Sequence, residues 1–253
     1  MIDTAKEATR LTQAHVNRMQ IAGTTPTSTQ IAAIKALVLG ISSIGLSKFD
    51  AIYPMIGGTA ATHALELIGS KDITWSGTVT HSASGSASDG STGYGTLDFD
   101  ATLLPANWHM GAYLNTAATA GAQMLGWQSS FSTTNVRSIL AGTAVHQVYN
   151  GSWGATLDRV SVATDGLGLI VGVRNSNTDL RLYKAGAQSG STYATAQTTS
   201  ASSGDAQTMK LNGASGYCAS RVAFLSIGDN LSDAEVSDLN DVVTAYQTTL
   251  ARA

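Results

Sequence analysis

Acid–base hydrolysis on a β scaffold needs two carboxyl groups held about 5–5.5 Å apart when configuration is retained, and alternate positions of one strand can present them. In this sequence the pair that fits is Asp98-Phe-Asp100, while the three glutamates, Glu7, Glu66 and Glu235, stand apart from it. We read Asp98 and Asp100 as a solvated strand end, so no catalytic residue and no enzyme activity is expected. Polysaccharide depolymerisation is the enzymatic alternative. Asp98, Asp100, Asn107 and His109 also offer oxygens and a nitrogen in a spacing that imitates a lectin cation site, with a plain Asx turn as the competing reading. No cofactor is expected, a divalent cation such as calcium at those four residues being the exception. His15, His63, His81, His109 and His146 lack ligand spacing and are read as hydrogen-bonded residues. There is no phosphate loop, HExxH helix, Gly-x-Ser-x-Gly elbow or dinucleotide fingerprint. Exposed tryptophans stack on sugars, whereas buried ones fill cores. Trp75 and Trp127 fall inside strand patterns and are assigned to the core. Trp108 and Trp153 fall at strand ends beside Asn107 and Asn150-Gly151 and are the glycan-stacking candidates.

Composition narrows the partners. Charged residues make up 12% of 253 and the net charge is −3 with no basic run, which removes the surface that nucleic-acid binding requires. One cysteine, Cys218, excludes an internal disulfide and a thiolate metal cluster and reads as a small buried apolar residue. Neither a signal peptide nor an apolar membrane span is recognised, so the chain is expected to be made as a soluble cytoplasmic product.

The elements that must position these residues begin with the C-terminal stretch. In Arg221–Ile227 the residues Val222, Ala223, Phe224, Leu225 and Ile227 are apolar, as for a strand buried on both faces, with Val222 and Phe224 assigned to one face and Ala223, Leu225 and Ile227 to the other. Gly228-Asp-Asn turns the chain, Ser232 and Glu235 form a capping box, and Val236, Leu239, Val242, Val243, Tyr246 and Leu250 give a helix packed by one stripe. At the N-terminus, Asp3 to about Ala22 reads as a helix with a thin apolar side. Thr27 and Gln30 cap a stronger helix carrying Ile31, Ile34, Leu37, Val38, Ile41 and Ile44, which Gly45 ends. Either the pair lies on the β domain as a hairpin, or the thin first helix docks on another chain.

From Phe49 short strand patterns recur, with no helix until 233: 64–67, 73–75, 78–81, 93–99, 109–115, 123–129, 136–140, 144–149, 159–163, 168–174, 180–184, 207–212 and 219–227. Ser82–Gly93 and Ala185–Asp205 are low-complexity surface loops. The fold class expected is mainly β: two packed antiparallel sheets preceded by a helical hairpin and closed by a C-terminal helix. The chain divides into a docking segment, 1–45, and a sandwich, 46–253; removal of 1–45 is expected to leave the sandwich folded.

Phe49-Asp-Ala-Ile-Tyr-Pro-Met-Ile-Gly-Gly-Thr-Ala, Thr80-His-Ser-Ala-Ser-Gly, Val171-Gly-Val-Arg-Asn-Ser, Leu182-Tyr-Lys-Ala-Gly and Phe224-Leu-Ser-Ile-Gly-Asp-Asn-Leu-Ser-Asp-Ala-Glu together resemble the concanavalin A-like, laminin G-like jelly-roll proteins of tailed-bacteriophage virions. The resemblance covers roughly 45–250. It implies a jelly-roll fold and a structural role in the virion, as a tail, neck or head accessory protein. It also implies other virion proteins and sibling copies as partners, and a virion location. A receptor-binding fibre module contacting host-surface glycan is the alternative, with Trp108, Trp153 and the loops 82–93 and 185–205 as its surface.

Overall fold

The structure, a computed structural model, describes residues 4–116, 122–128, 134–141, 145–152, 159–163, 167–195, 204–210 and 217–252. Two helices come first, α1 (Thr4–Ile21) and α2 (Ser28–Ile44). The capping box read from Thr27 and Gln30 forms: the Thr27 hydroxyl accepts the Gln30 N–H at 3.2 Å, and the Gln30 side-chain oxygen accepts the Thr27 N–H at 2.8 Å. There follow β1 (Phe49–Tyr53), a four-residue helix α3 (Ala60–His63), β2 (Ile73–Ser76), β3 (Val79–Ser82), β4 (Gly85–Ser88), β5 (Tyr94–Asp100), β6 (Trp108–Leu114) and β7 (Ala122–Gln128). Then come β8 (Thr134–Ala141), β9 (Val145–Ser152), β10 (Arg159–Ala163), β11 (Gly168–Ser176), β12 (Asp179–Lys184), β13 (Ala187–Gln188), β14 (Asp205–Thr208), β15 (Arg221–Asp229) and α4 (Asp233–Thr249).

Among the described residues these strands build two antiparallel sheets. One of eight strands runs β13-β12-β11-β6-β15-β4-β3, with β1 also paired to β15; one of seven runs β10-β9-β8-β7-β14-β5-β2. The sheets face each other across a core that includes Leu97, Phe99, Trp108, Met110, Trp127, Leu225 and Ile227. This is the lectin-like sandwich expected. The eight-stranded sheet carries a second core on its outer face, where Ile52, Tyr113, Leu169, Val171, Val173 and Phe224 pack against Leu11, Ile34, Leu37, Ile41, Val236, Leu239 and Val243 of the helices. The molecule is therefore three layers, helices on sheet on sheet, and the N-terminal hairpin lies on the β domain. At about 1.5–3 kcal/mol for each fully buried large apolar side chain, the second core stabilises the fold on the same scale as the first.

Four expectations need correction. The segment 64–67 is a turn after α3 rather than a strand, because the Thr59–Thr62 capping box starts a helical turn there. The loop expected at Ser82–Gly93 contains β4: its small residues fit because a Cβ at Gly85 would lie 2.4 Å from the Val222 carbonyl oxygen, so the close approach to β15 excludes larger side chains. The Ala185–Asp205 loop contains β13, and Tyr193 bridges to Leu180; residues 196–203 lie outside the described part. In β15 the register shifts between Val222 and Phe224, a bulge that turns Phe224 toward the helices with Ala223 while Val222 stays with Leu225 and Ile227 in the inter-sheet core.

Candidate functional site

The four residues considered as a cation set do not converge. Asp98 and Asp100 sit on β5 in the seven-stranded sheet, Asp98 exposed, while His109 lies on β6 in the other sheet, 0% exposed. Asp100 makes the Asx turn, its Oδ1 accepting the Thr102 N–H at 2.7 Å, and hydrogen bonding from the Thr102 side chain first and its backbone N–H second holds the Asp100 pKa below the usual carboxylate value. His109 Nδ1 is 2.6 Å from the Asp229 carbonyl and its ring meets Phe49 edge-on; burial pushes its pKa down to about 4. Asn107 is exposed at the start of β6. Among the described residues no group of three or more His, Cys, Asp or Glu side chains is placed to hold a metal ion.

Of the tryptophan assignments, that of Trp108 is overturned. Trp108 is fully buried in the inter-sheet core, its Nε1–H donating to Asn150 Oδ1 at 3.3 Å, so it has no face to offer a sugar. The parity of β6 decides this, since Trp108 shares its face with Met110, Ala112 and Leu114. Trp153 lies outside the described residues. Trp127 is buried as expected. Trp75 is only partly buried, packed against the rim of the core. Cys218 is buried and in no disulfide, and burial raises its pKa.

Three polar arrangements are available instead. One cleft, about 650 Å3, lies at the start of α4 between Lys48, Asn175, Asp179, Arg181, Asp229, Asn230 and Asp233. Five of its charged side chains are paired: Arg181 holds Asp179 through two bonds of 2.7 and 2.8 Å and Asp233 at 2.8 Å, Tyr183 donates to Asp233 at 2.6 Å, and Lys48 bridges to Glu235. Motif segments named above supply most of this cleft, and the pairing identifies their work as fixing α4 to the sheet.

The second is a groove of about 280 Å3 on the outer face of the seven-stranded sheet, lined by Ser70, Asp72, Thr74, Thr96, Asp98 and Asp205. Thr74, Thr96 and Asp98 point outward because Ile73, Leu97 and Phe99 point into the core. One wall is fixed from α1: Arg18 donates to both oxygens of Asp72 at 2.5 and 2.6 Å and to the carbonyls of Glu66 and Gly69 at 2.6 and 3.0 Å. Glu66 is itself buried, its carboxylate accepting the N–H groups of Ile52, Ile68 and Gly69; burial raises its pKa and those bonds work against the rise. The groove is a rigid array of hydroxyls and carboxylates that suits the vicinal hydroxyls of a sugar better than an apolar ligand.

The third joins three segments that sequence spacing does not connect. His63 at the end of α3, His81 on β3 and Ser86 on β4 form one cluster, with Ser86 Oγ 2.7 Å from His63 Nδ1 and 3.1 Å from His81 Nδ1. Trp75 lies edge-on to His81 with ring centroids 4.8 Å apart. The only sequence signal for it is that two of the motif segments, around Gly57-Gly58 and around Thr80-His81, meet here.

Neither a protein-family model nor a curated protein matches the sequence. Solved structures share the fold. Domain 4 of AbnA, a GH43 extracellular arabinanase from Geobacillus stearothermophilus solved in complex with arabinotriose, matches with a TM-score of 0.57 and 12% identity, over 76% of this chain and 98% of that one. The binding domain of botulinum neurotoxin DC, in complex with rat synaptotagmin II, matches with a TM-score of 0.55 and 10% identity, over 78% of this chain and 52% of that one. A chain of botulinum neurotoxin type C, whose cell entry depends upon interaction with two ganglioside molecules, matches with a TM-score of 0.54 and 9% identity, over 80% and 53%. This chain thus spans about half of each toxin binding chain. At these identities the likeness is one of fold: a lectin-like β-sandwich of the kind found in binding domains.

Proposed function

We propose that the chain is a structural component of a tailed-phage virion that displays a non-catalytic, lectin-like sandwich for recognition of host-surface glycan. The observation that carries the recognition half is the groove of Ser70, Asp72, Thr74, Thr96, Asp98 and Asp205 on the outer face of the seven-stranded sheet, opposite the helix layer. A sandwich whose other outer face is closed by helices leaves this side for a ligand, and strand-borne hydroxyls and carboxylates are pre-ordered to hydrogen-bond a saccharide. The solved neighbours that carry arabinotriose or depend on gangliosides support the reading by fold. The motif resemblance to phage jelly rolls supports the virion half, in which sibling copies and other particle proteins are the partners.

The test is binding of purified chain to host-envelope polysaccharide. Binding weakened about tenfold by Asp98→Ala is expected, the loss that follows when one charge-assisted hydrogen bond goes. New reducing ends that disappear in Asp98→Asn or Asp100→Asn would overturn the non-catalytic half. Antibody labelling of intact particles tests the virion half, and absence of the chain from purified particles would overturn it.

A further inference from the structure

We propose that Trp75 and His81, at the rim where the edge strands of the two sheets meet, form a carbohydrate-contact point of this module: the indole stacks on the C–H face of a pyranose ring, and His81 Nε2–H donates to an oxygen of that same sugar. The inference rests on the glycan-recognition reading and assigns it a site that the groove does not contain.

Three observations carry it. The first is exposure. Among the described residues β2 pairs with β5 alone and β3 with β4 alone, so each is the outer strand of its sheet, and the Trp75 and His81 they bear are partly exposed while Trp108 and Trp127 are fully buried. The second is order. Trp75 Nε1–H donates to the Ala60 carbonyl at 3.0 Å, and the His81 ring stands against the indole at 70°. Both side chains are therefore held before any ligand arrives, which removes most of the ordering cost of binding.

The third is the direction of a hydrogen-bond chain. The Gly58 N–H donates to His63 Nε2 at 3.2 Å, so the single proton of the neutral His63 ring is on Nδ1. That Nδ1–H faces both Ser86 Oγ at 2.7 Å and His81 Nδ1 at 3.2 Å, so a second proton on His81 Nδ1 would oppose it and His81 Nδ1 is the acceptor; the Ser86 hydroxyl has His81 Nδ1 at 3.1 Å and Met55 Sδ at 3.8 Å to donate to. His81 consequently carries its proton on Nε2, the nitrogen that takes no part in this chain. Burial lowers the pKa of both histidines, His63 to about 3, which keeps the relay neutral at physiological pH. Ser86 is fully buried, so the chain sets a tautomer and does not serve as a nucleophile.

The chemistry selects the ligand class. One neutral N–H beside an indole offers no charge for an anion and no third ligand for a metal ion. An apolar plate with one donor at its edge matches a sugar ring, which has a C–H face and a belt of oxygens.

The experiment uses the full chain with a panel of neutral gluco-, galacto-, manno- and arabino-trisaccharides, read by saturation-transfer NMR and intrinsic tryptophan fluorescence. Wild type is expected to bind at least one. Trp75→Ala should weaken that affinity about tenfold, and His81→Ala about threefold or more. Histidine 15N shifts should show His81 as the Nε2–H tautomer, and Ser86→Ala should relax that preference. Trp75→Phe, which keeps an aromatic plate at the rim, guards against misfolding of the alanine variant and should lose less affinity than it. Binding by wild type that Trp75→Phe, Trp75→Ala and His81→Ala all leave unchanged would overturn this site and leave glycan recognition standing. No binding of any trisaccharide or of host polysaccharide would overturn both. An Nδ1–H tautomer at His81 would overturn the donor role.

Discussion

At the scale of single residues the buried histidines govern how the protein responds to acid. His15, His63 and His109 are buried and their pKa values fall from 6.5 to about 4, 3 and 4, burial being the largest cause in each case. A histidine depressed in the folded state takes up a proton more readily when unfolded, so stability is full above the unfolded pKa and is lost as pH falls from about 6.5 toward the folded values. Each contributes up to about 1.4 kcal/mol per pH unit in that window, and the three together roughly 4. Glu66, raised by burial, acts in the opposite direction: its folded-state cost fades as it protonates on acidification. One carboxyl does not offset three imidazoles. Urea unfolding midpoints should therefore fall steeply between about pH 6.5 and about pH 4, and His63→Gln should flatten the slope by about a third. A stability constant across that range would show that these rings are protonated, and therefore hydrated, in the folded protein.

At the scale of elements the helix layer depends on one close approach. A Cβ built on Gly40 of α2 would lie 2.4 Å from Cγ2 and 2.7 Å from Cγ1 of Val242 on α4, so the absence of a side chain on one helix makes room for the branched side chain on the other. Gly40→Ala gains up to about 1 kcal/mol of helix propensity, but the clash should cost about 1–3 kcal/mol, and a net loss of stability is expected. Val242→Ala in the same chain should restore much of it, so that thermal unfolding of the pair shows strong non-additivity; additive losses would mean the helices do not meet there. This contact also illustrates what the sequence discloses. The α2 and α4 stripes and both of their capping boxes follow from local spacing, because a helix face is written by residues three and four apart. Strand β4 does not, because Gly85-Ser-Ala-Ser88 is chosen by its proximity to β15, more than a hundred residues later. The β15 bulge escapes for the same reason: strict alternation places Phe224 with Val222, and only pairing with β6 shifts it. The candidate sites divide likewise. Asp98 is visible as a carboxylate on an alternating strand, whereas His63, His81 and Ser86 come from three elements and acquire meaning only when α3 folds over the β3–β4 hairpin.

At the scale of the whole molecule the question is whether residues 1–45 are an appendage. Local patterning marks a boundary there, since two helices precede an unbroken series of strands, and a separable docking segment follows naturally from it. The packing argues for integration. Leu11, Val16 and Met19 of α1 and Ile34, Leu37, Val38 and Ile41 of α2 share one core with Ile52, Leu169, Val171, Val173, Phe224 and α4. Arg18 ties α1 to Asp72 and to the carbonyls of Glu66 and Gly69, in the turn that leads into β2. What remains outward on the hairpin among its large apolar residues is Ile21, 87% exposed, with Ile31 and Leu39 at 37% and 36%. Deleting 1–45 would uncover much of the outer face of the eight-stranded sheet, an apolar patch well beyond the few hundred Å2 a soluble monomer ordinarily exposes. The truncated chain is therefore expected to bind a hydrophobic dye, to aggregate, and to unfold at least several degrees below the full chain. The paired substitution Leu37→Ala with Ile41→Ala, which keeps the hairpin but hollows its contact with the sheet, should destabilise by several kcal/mol in the same direction. A soluble 46–253 fragment with unchanged thermal stability would show that the hairpin contributes nothing to the stability of the sandwich.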